Sequence, residues 1–161
     1  MNGQAILPPP LLLTASPGDV PPARSLEGIL NPRPSERYHL RMTTVRRIGN
    51  NPRWSDIVIH AGTARWVEVA EDRHQGVAGQ ISQIFAQIDA TLLSIGSSRA
   101  DLLQIQIYLS DLADAAVLNE LWDAWVPADH PPVRACVGVQ LGPDCLAEMI
   151  ILAAAPAEST D

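Results

Sequence analysis

Residues 131–148 limit the fold more than any other stretch of this chain. Val133-Arg134-Ala135-Cys136-Val137-Gly138-Val139 alternates at period two, the pattern of a strand buried on at least one face. Val133, Ala135, Val137 and Val139 share one face, and Arg134, Cys136 and Gly138 share the other. Pro131 and Pro132 hold the approach extended and mark the strand start. Gly142-Pro143-Asp144 supplies turn chemistry, and residues 146–154 read as a second strand. The expectation is a hairpin with a loop of roughly four to six residues. In registers that set Arg134 opposite Leu152, Ile150 or Glu148, Arg134 and Glu148 share a face of the sheet. A guanidinium and a carboxylate amid apolar strands need a reason. They are either a structural ion pair or the two charged tools of a small-molecule site.

The rest of the pattern supplies the layers around that hairpin. Residues 43–48 form a short strand followed by an Asn50-Asn51-Pro52 turn. Residues 57–60 and 63–69 form a hairpin about Ala61-Gly62. Over residues 76–95, Val77, Ile81, Ile84, Phe85, Ile88, Leu92 and Ile95 make one helical stripe, which Gly96 closes. Residues 102–109 alternate, with Ile105, Ile107 and Leu109 on one side and Gln104, Gln106 and Tyr108 on the other. Ser110 or Asp111 caps a second helix over 112–126, which Pro127 ends and whose buried stripe is Leu118, Leu121, Trp122 and Trp125.

The order β-β-β-α-β-α-β-β predicts an α+β two-layer sandwich, a mixed sheet of about six strands with two helices on one face. The uncovered face is expected to carry Gln104, Gln106, Tyr108, Arg134, Cys136, Glu148, Ile150 and Leu152. That surface is too apolar for water and too polar for an ordinary core, which predicts a closed homo-oligomer.

Composition narrows the function. The chain has 161 residues, 47% of them hydrophobic and 18% charged, which is one globular domain's worth. A net charge of −7 with no Lys/Arg block weighs against nucleic acid as a partner, and against a ribonuclease role. Cys136 and Cys145 have no metal-ligand spacing around them, and His39, His60, His74 and His130 suggest none, so neither metal nor cofactor is expected. Two free thiols and the lack of a secretory signal or membrane span predict a reduced, cytoplasmic protein. Eight of the fourteen prolines fall within residues 1–41, which read as a disordered extension ahead of a folded domain over 42–155 and a flexible tail over 156–161.

Several residues of the domain carry a resemblance. Arg53-Trp54-Ser55-Asp56-Ile57-Val58-Ile59-His60, Gln87-Ile88-Asp89-Ala90, Asn119 with Trp122-Asp123-Ala124-Trp125-Val126, Pro132-Val133-Arg134 and Glu148 together resemble the Rid (YjgF-type) family of reactive-intermediate deaminases, in its YoaB-like branch. The resemblance implies a chorismate-mutase-like sandwich that assembles as a trimer with a small-molecule site at each subunit interface. It implies hydrolysis of 2-imino acids, or their enamines, to 2-oxo acids and ammonia. Arg134 would grip the substrate carboxylate and Glu148 would help activate water, with Asn119 and Cys136 near the site. The small Thr/Ser-Gly tract of many members corresponds here to Trp66-Val67-Glu68, and a tyrosine of the first hairpin to Trp54, so Val67 and Trp54 join the expected pocket wall.

A planar guanidinium suits a carboxylate because it can make two charge-assisted bonds to it. A glutamate suits proton movement, and a positioned acid–base group contributes about 10²–10⁴ in rate. The alternative is a non-catalytic trimer that binds a small carboxylate or acts as a stress chaperone or regulator, because one fold hosts several functions.

Overall fold

A two-residue turn starts the sheet. Ala61 (φ 51°) and Gly62 (φ 75°) both occupy the left-handed region, the geometry that closes two strands without splaying them. It joins Ile57–His60 (β2) to Thr63–Val69 (β3), and Arg46–Ile48 (β1) pairs antiparallel along the outer side of β2. The computed structural model describes residues 44–156. The expected extension over 1–41 and residues 157–161 of the expected tail lie outside the described residues.

After β3 the chain forms Val77–Ser94 (α1), Leu102–Leu109 (β4), Ala115–Trp125 (α2), Val133–Gly138 (β5) and Ala147–Ala154 (β6). The six strands form one mixed sheet in the order β1-β2-β3-β6-β4-β5. Because β3 and β4 both pair antiparallel with β6, they run parallel to each other, and α1 is the crossover between them. The helix α2 is likewise the crossover between β4 and its parallel neighbour β5. Both helices therefore lie on one face, as expected, and they bury Ala64, Trp66, Ile105, Ile107, Leu109, Ala147, Met149, Ile151 and Ala153 beneath them.

The helix limits follow from local chemistry. Gly96 (φ 71°) ends α1, with its N–H on the Leu93 carbonyl and the Ser97 N–H on the Leu92 carbonyl. Asp111 accepts from the Ala113 N–H and starts a short 3-10 turn, Leu112–Asp114, that runs into α2. Asp89 on α1 holds Arg99 through both carboxylate oxygens at 2.5 and 2.6 Å, and Arg99 also donates to the Trp125 carbonyl at 2.8 Å, which ties the two helices together. Fully buried Gln80 is a second tie. Its amide donates to the Arg73, Gln75 and Asp144 carbonyls and accepts from the Leu146 N–H, fixing the approach to β6.

One expectation is overturned. β5 and β6 are not a hairpin, because β4 lies between them. The segment between them passes around the end of β4, where the Val139 N–H meets the Leu109 carbonyl and the Ser110 N–H meets the Leu146 carbonyl. The cause is burial. β6 carries Met149 and Ile151 on one side and Ile150 and Leu152 on the other, which suits a strand paired along both edges. β5 exposes Val133, Ala135 and Val137 and ends in glycine, and it takes the sheet edge.

Candidate functional site

Inserting β4 also changes which side chains share a face. Arg134 is in register with Ile105 and Cys136 with Ile107, both on the helix side, whereas Glu148 is in register with Tyr108 and Val69 on the side left uncovered among the described residues. The expected common face for Arg134 and Glu148 is therefore wrong, and so is the placing of Arg134 and Cys136 on the open face. Alternation within each strand was read correctly. The relation between the two strands rested on a hairpin that does not form.

On the helix side Arg134 is held from two directions. Its Nη1 donates to Asn119 Oδ1 at 2.9 Å, and its guanidinium carbon lies 4.6 Å from the centre of the Trp122 ring. Arg134 has no carboxylate within ion-pair distance among the described residues, and its buried Nε has no partner there. Beside it opens a pocket of about 330 Å³ lined by Leu112, Ala115, Asn119, Arg134 and Cys136. A cation held by a neutral amide and an aromatic face keeps its charge available to an anion.

Three of the six sequence-derived site residues thus meet: Arg134, Cys136 and Asn119. Glu148 is half-buried on the opposite face, and Val67, in register with Ile150, is 51% exposed on that same face. Trp54, in the connection from β1 to β2, is 59% exposed and does not line the pocket. Sequence reasoning missed Leu112, Ala115 and Trp122. The signal was present, since Leu112 and Ala115 precede the expected site residue Asn119 at the three- and four-residue spacing of one helical stripe. Both cysteines are free, and burial pushes the Cys145 thiol up.

The uncovered face carries Val67, Val69, Tyr108, Glu148, Ile150 and Val137 in adjoining register. Val67, Val133, Val137 and Ile150 are each more than 40% exposed there. On the helix side of β3, Glu68 is half-buried, accepting from Gln87 at 3.0 Å and Thr91 at 3.1 Å. Burial pushes its carboxyl above the usual range, and those two hydrogen bonds only partly oppose the shift. Among the described residues no group of three or more His, Cys, Asp or Glu is arranged to hold a metal, and no helix is long and apolar enough to cross a membrane.

A family model described as Endoribonuclease L-PSP matches residues 52–155. The chain belongs to this family, the YjgF/RutC family. It is 41% identical over 112 residues to the RutC family protein YoaB of Escherichia coli, a match covering 69% of this chain and 98% of that protein. A RutC family protein of Haemophilus influenzae is 34% identical over 113 residues, covering 68% and 97%. Among solved structures, a YjgF family member from Neisseria meningitidis superposes with a TM-score of 0.67 at 36% identity, covering 73% of this chain and 99% of that one. An uncharacterized protein from Pseudomonas aeruginosa gives 0.67 at 34% identity, covering 70% and 100%. The α+β sandwich expected from the sequence is thus the fold of a YjgF/RutC family member.

Proposed function

We propose that this YjgF/RutC family chain hydrolyses reactive 2-imino acids, or the enamines in equilibrium with them, to 2-oxo acids and ammonia. The observation that carries the reading is Arg134, a guanidinium fixed by Asn119 and Trp122 at a small pocket and unpaired with any carboxylate among the described residues. It would take the substrate carboxylate. Water adds to the imine carbon, and the resulting carbinolamine collapses to a carbonyl as its nitrogen leaves as ammonia. One group must accept a proton from the water and another proton must reach the nitrogen, and Glu148 serves both needs in turn.

Within one chain Glu148 is on the wrong face for that task. A closed trimer resolves the mismatch by burying the uncovered face of one copy against the pocket edge of the next, bringing Glu148 and Val67 to a neighbour's Arg134. The apolar exposed face supports such an assembly. No cofactor takes part. The reading is tested by generating an imine in situ with an amino-acid oxidase and following 2-oxo acid release with and without the protein. Acceleration that Arg134→Ala removes is the expected result. Wild-type protein that never exceeds the spontaneous rate yet binds 2-oxo acids through Arg134 would select the non-catalytic carboxylate-binding alternative.

A further inference from the structure

The pocket is not uniform along its length. Arg134, Cys136 and Gly138 succeed one another on the helix side of β5, spanning about 13 Å at ordinary strand rise. Above them the α2 stripe runs from Asn119 back through Ala115 to Leu112. At the Arg134 end the roof is the Asn119 amide. At the Gly138 end it is Leu112, seated so closely that a Cβ on Gly138 would lie 2.8 Å from Leu112 Cγ and 3.1 Å from Cδ1. Glycine there lets the leucine branch rest directly on the strand. The slot is therefore cationic at one end and aliphatic at the other.

We infer that Leu112, seated on Gly138, is a specificity-determining residue, and that the pocket takes carboxylates bearing an aliphatic substituent in preference to the smallest ones. This rests on the reading of Arg134 as the carboxylate holder. Within the chain's own pocket, a ligand anchored there directs its substituent along the slot, over Cys136 and toward Leu112 and Ala115. Each methylene that leaves water on that path is worth about fourfold in affinity.

The test is calorimetric titration of the full chain with pyruvate, 2-oxobutanoate and 4-methyl-2-oxopentanoate, which do not turn over. Wild type should bind the branched six-carbon acid about tenfold or more tighter than pyruvate. Leu112→Ala should cut that ratio by about threefold, weakening the branched acid more than pyruvate, because the far wall is what it removes. Arg134→Ala should lose all three acids. Acids that bind through Arg134 with a ratio unmoved by Leu112→Ala, or with pyruvate weakened as much as the branched acid, overturn the role of Leu112 alone. A wild-type chain that binds none of them, or an Arg134→Ala chain that binds them equally well, overturns the carboxylate reading and this inference with it.

Discussion

Arg134 and Glu148 stand on opposite faces of one sheet. Arg134 is in register with Ile105 beneath α2, and Glu148 is in register with Tyr108 on the side that no helix of the described residues covers. A buried ion pair between them within one chain is thereby excluded, which was the competing explanation for two charges in apolar strands. What remains for Arg134 is a neutral amide, an aromatic face and an open pocket.

The first prediction concerns assembly. Val67 and Ile150 face each other in register at the middle of the uncovered face, where both are exposed. The proposed trimer buries them, so Ile150→Glu should convert a particle of three chains into single chains by sedimentation velocity. The far-UV circular dichroism should be unchanged, because Ile150 contributes nothing to the helix-side core. A variant that sediments like wild type would place the interface elsewhere.

The fold was legible in the sequence because periodicity reports burial directly. The stripe in α1 and the alternation in β4 gave each its faces, and the Ala61-Gly62 pair gave the first hairpin. Strand order was not legible. β5 and β6 carry turn residues between them like a hairpin, and only the two-sided apolar character of β6 hinted that it belongs inside the sheet. Arg134 stood out as a charge amid apolar strand residues, and the resemblance added Asn119 and Cys136 beside it. Trp122 was missed because a core tryptophan and an arginine platform carry the same helical spacing. Leu112 was missed because its seat depends on a glycine in a strand distant in sequence.

Glu68 should give stability a pH dependence of definite sign. Its folded carboxyl titrates above the ordinary 4.5 because of burial, with a small further push from Glu71. Between the ordinary and the raised value the folded state binds more protons than the unfolded state, so this group's contribution falls as pH rises through that window and then levels off. Glu68→Gln lacks the titration. The Tm of wild type relative to Glu68→Gln should therefore decline as pH is raised from below 4.5 toward neutrality. A constant difference, or one of opposite slope, would contradict the burial account.

Gly138 and Leu112 should behave as a coupled pair. Gly138→Ala places a methyl against the Leu112 branch point, forcing it to move, at a cost of about 1–3 kcal/mol typical of overpacking. Leu112→Ala removes the obstacle, so the double variant should be more stable to urea than the sum of the single effects predicts. Strict additivity would mean that Leu112 does not rest on this strand.

The central claim is that an Arg134 and a Glu148 from different copies act on one substrate, and mixing tests it most directly. Arg134→Ala and Glu148→Gln chains should each hydrolyse an in-situ imine at close to the spontaneous rate. Unfolded together in equal amounts and refolded, they should regain about a quarter of the wild-type rate, because in a closed ring of randomly mixed subunits that share of interfaces pairs an intact arginine with an intact glutamate. A mixture as inactive as its components, or a Glu148→Gln protein that is fully active alone, would contradict the account.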